Sequence, residues 1–126
     1  MIFQYTLDLL LSGRKTQTCR IAKANEHAVR YPAGQIVTVK SSGRDKYRVG
    51  KTYAVQPSRN ESAVARIRLL EIGSKKVSEV TLEEAQAEGY ATREEFFDVW
   101  RSIHGEKQMD ADVWVLKFEL VKGDNL

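Results

Sequence analysis

Apolar positions recur along this chain with two different periods, and the change of period divides it. Near the start, Phe3, Leu7, Leu10 and Leu11 fall at i, i+4, i+7 and i+8, one face of a helix, which predicts a short amphipathic helix over 3–11. Ser12-Gly13 closes it, because glycine takes the left-handed conformation in which helices commonly end. The β-branched Thr16 and Thr18 favour pleated backbone and predict a strand over 16–21, with Thr16, Thr18 and Arg20 on one face and Gln17, Cys19 and Ile21 on the other. The polar stretch 22–34, with Pro32 and Gly34 as breakers, reads as loop. Ile36, Val37 and Val39 read as a strand, and 41–46 as a turn-rich basic loop. Residues 53–56 form a further strand, broken by Pro57. Alternation over 64–72, with Arg66 and Arg68 opposite Ala65, Ile67 and Leu69, predicts the longest strand, ended by 73–76.

The helical period then returns. Thr81 with Glu84, and Thr92 with Glu95, match capping boxes, so helices are expected over about 82–88 and 93–104, stopped by Gly89 and Gly105. Phe96, Phe97, Trp100 and Ile103 give the second its apolar face. A closing strand over 113–121 follows, with the residues around Asp124 fraying. This order of elements suits an α+β fold: a small, mostly antiparallel β-barrel with flanking helices, in a single domain over 1–126. Trp100 and Trp114 lie on apolar faces and belong to the core, as does Cys19, which points away from Thr18.

Hydrophobic residues make up 42% and charged ones 29%, the balance of an ordinary globular protein. The apolar patch at the start has no basic lead or small-residue cleavage site, and no run reaches membrane-spanning length, so a cytoplasmic protein without a membrane partner is expected. One cysteine excludes an internal disulfide, and Cys19, His27 and His104 lack the spacing of a zinc site, so no metal and no cofactor are expected. The net charge of +3 conceals a division: residues 1–76 hold 15 Lys/Arg against 5 Asp/Glu, residues 77–126 hold 5 against 12. One part of the surface is thus positive, which suits a polyanion such as RNA, or else the two halves attract each other.

The densest chemistry lies in 13–20, where Arg14, Lys15 and Arg20 alternate with the hydroxyls of Thr16 and Thr18. Such a stretch is either an exposed basic edge strand or an anion or nucleotide site with a hydroxyl inside it. Tyr53 and Tyr90 either stack on a base or pack internally; Arg59, after Pro57, either reaches phosphate or stands in solvent.

An ordered set of motifs resembles the ASCH domain family of the PUA-like β-barrel superfold. It runs from Gly13-x-Lys15-x-x-Thr18-x-Arg20 through Tyr53-Ala54-Val55-Gln56-Pro57-x-Arg59 and Thr81-x-Glu83-x-Ala85-x-x-Glu88-Gly89-Tyr90. Phe96, Trp100, His104-Gly105 and Val113-Trp114-Val115-x-x-Phe118-Glu119-Leu120 complete it. The resemblance implies a PUA-like barrel, a partner that is RNA or a modified nucleoside or nucleotide, and a cleft holding Lys15, Thr18 and Glu88. In a compact branch that deacylates N4-acetylcytidine, the equivalent lysine, threonine and glutamate are catalytic; another member is a ribonuclease. Arg14, Thr16, Arg20, Tyr53 and Arg59 are the residues expected to touch the ligand.

Amide cleavage in such a site needs a nucleophile, a base and a proton for the leaving amine, roles open to Thr18, Lys15 and Glu88. Lys15 acts as base only if its pKa falls from about 10.4. Protonated, it instead holds an oxyanion or phosphate. Relative to the compact amidohydrolases, this chain carries additional basic segments at 22–35 and 41–51, which fit a nucleotide or RNA chain better than a free nucleoside.

Overall fold

A single antiparallel sheet organises the structure, a computed structural model that describes residues 1–31 and 34–121. Its strands are β1 Gln17–Ile21, β2 Glu26–Arg30, β3 Ile36–Ser41, β4 Arg44–Arg48, β5 Thr52–Val55, β6 Ala65–Lys76 and β7 Asp112–Leu120. They run in the order β1-β7-β6-β3-β2, with β4 attached to β3 and β5 to β6. Three helices accompany them: α1 Leu7–Leu11, α2 Leu82–Ala87 and α3 Arg93–His104.

The two-residue period of β7 decides where the layers go. Val113 and Val115 face α2 and α3, closing a core with Cys19, Ala85, Phe96 and Trp100. Trp114 and Leu116 face the other way, onto Val39 and Tyr47 of the β3–β4 hairpin, and Phe118 packs with Phe3, Leu10 and Ile67 beneath α1. Leu69, Val39 and Leu116 are fully buried, each stabilising the fold by roughly 1.5–3 kcal/mol. Both tryptophans and Cys19 are buried, as their positions on apolar faces predict.

Several elements differ from the sequence expectation. The helix expected over 3–11 begins only at Leu7, because the residues before it run beside β5: the Phe3 amide donates to the Gln56 carbonyl at 3.0 Å. The stretch read as loop contains β2, and the basic loop contains β4; both pair with β3 and leave one face to solvent, so charged side chains populate them. Pro32 and Asp124 lie outside the described residues. β6 does not stop at 73–76 but continues to Lys76, since Gly73 and Ser74 still pair with Val115 and Trp114. The helix boundaries hold closely: Thr81 and Glu84 form a reciprocal capping box, whereas Glu95 caps the Ala91 amide instead of that of Thr92.

The ladders do not close the sheet into a barrel. Among the described residues β1 pairs only with β7 and β4 only with β3, leaving each an edge without a strand partner. The sheet nevertheless curls until Arg20 of β1 and Tyr47 of β4 line one cavity. Residues 2–6 line the same cavity.

Candidate functional site

Three backbone devices bring Lys15 to Glu88. Gly13, at φ 81°, turns the chain out of α1, and the Lys15 amide donates to the Leu9 carbonyl at 3.0 Å. The Thr16 amide donates to the Ala87 carbonyl at 2.8 Å, tying this link to the end of α2. Gly89, at φ 108°, ends α2 so closely against α1 that a Cβ there would lie 2.6 Å from Leu9 Cδ1. The residues flanking these joints are therefore fixed in mutual register.

The Lys15 ammonium donates to the Glu88 carbonyl at 3.2 Å and to Glu88 Oε1 at 3.3 Å, while Gln17 Nε2 donates to Glu88 Oε2 at 3.2 Å. Lys15, Gln17 and Glu88 are all buried. Burial pushes the Lys15 pKa down; the Glu88 charge and hydrogen bond oppose that without cancelling it. The arrangement also satisfies the end of α2, because a cation on the terminal carbonyls complements the helix dipole and compensates a carboxylate placed at its unfavourable end.

Lys15 and Glu88 line a cavity of about 490 Å³, while Gln17 is buried outside its lining and holds Glu88 from there. Thr18, Cys19 and Arg20 line it from β1, Lys46 and Tyr47 from β4; Glu88, Tyr90, Trp100 and His104 line it from the helical side. Arg20 Nη2 donates to the Ile2 carbonyl at 2.9 Å and its guanidinium lies 4.9 Å from the Phe3 ring centroid. Arg20 Nε is buried without a hydrogen-bond partner among the described residues. Burial pushes the Cys19 thiol pKa up, which keeps it neutral.

A second buried carboxylate supports the cavity from behind. Glu26 Oε1 accepts from the Lys23 amide at 3.0 Å and from Trp114 Nε1 at 2.8 Å, and Oε2 accepts from the Lys46 ammonium. Burial works against the Glu26 charge, but these donors outweigh it and its pKa is lowered. Among the described residues no group of three or more His, Cys, Asp or Glu side chains is placed to hold a metal ion, and no helix is long and apolar enough to cross a membrane.

Of the expected site residues, Lys15, Thr18, Arg20 and Glu88 meet at the cavity. Arg14 and Thr16 do not: both are exposed, because side chains alternate along this link and Lys15 takes the inward position. Tyr53 sits across the sheet, its hydroxyl accepting from the Arg48 amide at 2.7 Å, and Arg59 is exposed in the loop after β5. Gln17 was not expected at the site. Its signal was a lone polar side chain on a face shared with Cys19 and Ile21, which calls for a buried partner. Lys23 lies in the basic segment 22–35 expected to suit a nucleotide, whereas Lys46 was not singled out within the basic loop.

Residues 33–122 match the family model of the ASCH domain. No curated protein matches the chain. Among solved structures, an ASCH domain from Lactobacillus crispatus superposes with a TM-score of 0.63 at 15% identity, covering 90% of this chain and 68% of that one. A protein from Enterococcus faecalis gives 0.59 at 21% identity; the match covers 90% of this chain but only 65% of that longer one. A third, described only as a hypothetical protein, gives 0.62 at 16% identity over 96% of both chains. These likenesses establish a shared fold. The family match includes Glu88 but begins after Lys15, Thr18 and Arg20.

Proposed function

Because the chain belongs to the ASCH domain family, we propose that it binds RNA or a nucleotide and takes one base into the cavity around Lys15, Thr18, Arg20 and Glu88. The observation that carries this reading is the buried Lys15–Glu88 pair in the wall of a cavity of about 490 Å³, with Gln17 holding the carboxylate from outside the lining. It offers a carboxylate acceptor for an exocyclic amine, with an ammonium donor beside it. Tyr90 and Trp100 supply aromatic surface within the same cavity, the combination by which unstacked bases are recognised. In this reading Thr18 bonds the ligand, Arg20 meets anionic oxygen, and the curled sheet is a PUA-like barrel with its seam left open for the base.

A second reading has one specific observation in its favour. Burial lowers the pKa of Lys15, as a base for Thr18 requires, which supports an amidohydrolase acting on N4-acetylcytidine. Both hydrogen bonds of the ammonium go to Glu88, so Lys15 must first turn towards Thr18.

The deciding assay is N4-acetylcytidine hydrolysis by wild type, Lys15→Ala, Thr18→Ala and Glu88→Ala. Binding without turnover supports the binding module; cytidine release abolished in all three variants establishes the hydrolase. Binding that weakens steeply with salt marks phosphate neutralisation, to which turnover of a neutral nucleoside is nearly indifferent. A ribonuclease would cleave single-stranded RNA and lose that activity in Lys15→Ala.

A further inference from the structure

Resting on a base seated beside Lys15 and Glu88, we propose that Arg20, Lys23 and Lys46 form an anion subsite in the same cavity, so that its ligand is a nucleotide carrying phosphate and not a free nucleoside. The charge balance of the cavity wall points there. Four cationic side chains line it, Lys15, Arg20, Lys23 and Lys46, against a single lining carboxylate, Glu88. Glu88 is committed to Lys15, and Glu26, behind the wall, to Lys46. Arg20 and Lys23 are left without a carboxylate partner among the described residues.

Arg20 is the sharper case. Its guanidinium is partly withdrawn from water, spends one donor on the Ile2 carbonyl, and keeps Nε buried with no acceptor among the described residues. A largely desolvated cation without a carboxylate partner is costly; Nε is out of a ligand's reach, but Nη1 is neither buried nor bonded among the described residues, and an anionic oxygen on it relieves that cost. Phosphate oxygens suit a guanidinium fork and an ammonium together. Arg20 lies two positions beyond Thr18 on one face of β1, about 7 Å along the strand, a separation on the scale of a single nucleotide.

Glu26 makes this end of the cavity a built one. A single buried carboxylate fixes the Lys23 backbone through its amide and the Lys46 ammonium directly, and is itself anchored by the Trp114 indole. The Lys46 side chain remains 32% exposed and the Lys23 side chain is exposed, so both present donors to a ligand. Glu26 is therefore a positioning residue for two of the three cations.

The test is calorimetric titration at low salt with the four ribonucleosides, their 5′-monophosphates and the dinucleoside phosphate CpC. Wild type, Lys23→Gln, Glu88→Gln and Lys40→Gln are compared; Lys40 pairs with Asp45 outside the cavity. Phosphorylated probes are expected to bind at least about tenfold tighter than nucleosides, an advantage shrinking to about threefold or less in Lys23→Gln and persisting in Lys40→Gln. Either phosphate source supports the subsite: tighter CpC identifies an RNA chain, tighter monophosphates a free nucleotide. Equal binding of nucleosides and nucleotides, no binding of any phosphorylated probe, or equal losses in Lys23→Gln and Lys40→Gln overturns it. Phosphate discrimination that persists while Glu88→Gln alters no probe would sink the base site and leave the anion subsite standing.

Discussion

Removing either member of the Lys15–Glu88 pair strands the other, since the two side chains are 4% and 5% exposed and 3.3 Å apart. Glu88→Ala is expected to cost about 3–5 kcal/mol in chemical denaturation, as is Lys15→Met. The Lys15→Met/Glu88→Leu double variant should lose much less than the sum, because it buries no unpaired charge. The pair also sets a pH dependence. Burial holds the folded pKa of Lys15 below its unfolded value, so the unfolded chain binds more protons between the two. Stability should therefore rise as pH climbs through the folded pKa and level off above about 10.4. Denaturation at a series of alkaline pH values, with the Lys15→Met/Glu88→Gln variant as reference, measures that rise. Lys15 and Glu88 stood out in the sequence because they belong to recognisable motifs. Gln17 did not, because its role depends on a helix end 71 residues away.

Among elements, the α1–α2 joint is the tightest in the site. Gly89→Ala faces both a positive φ and a 2.6 Å approach to Leu9 Cδ1, and should cost more than about 1 kcal/mol in thermal or chemical unfolding. Loss of ligand binding should accompany it, since Glu88 would shift with the helix end. The β2–β4–β7 junction carries the opposite pH limb. The Glu26 pKa is lowered on folding, so its stabilisation is complete above the ordinary carboxylate value of 4.5 and is lost as pH falls through the folded pKa. Glu26→Gln should flatten that acid limb, and wild-type Trp114 emission should change along it, because the indole donates to the carboxylate that titrates. The caps of α2 and α3 were legible because a threonine and a glutamate three residues apart are a local signal. β2 and β4 were not: the inward residue that anchors β2 is a glutamate, and the partner that neutralises it comes from β4, so each segment alone looks like a solvated loop.

Across the molecule, the division of charge serves in part to join the two halves. Lys75 of β6 meets Glu84 of α2 at 2.6 Å, and Lys15 meets Glu88, so the acidic helical pair is held against the basic sheet. Other cations remain on the hairpin of β3 and β4, where Arg44 and Arg48 are exposed. If the chain binds RNA as proposed, the Arg44→Gln/Arg48→Gln variant should bind more weakly with little change in base preference. The slope of log affinity against log salt should fall by about one for each phosphate that the variant no longer neutralises, measured by fluorescence anisotropy from about 50 to 200 mM salt. The α+β class and antiparallel order could be read from the alternation of periods. Closure could not, because it depends on how far a sheet of partly polar strands curls.

The unpaired edges of β1 and β4 have a kinetic consequence. A pocket sealed inside a complete cylinder is reached only when some ladder hydrogen bonds break, so filling it waits on an opening step whose rate does not depend on ligand. Here β1 and β4 line one cavity without sharing a ladder, so a ligand entering between them breaks none of the pairing within the sheet. Observed association rates in stopped flow should therefore rise linearly with ligand concentration, without the plateau that marks a gate.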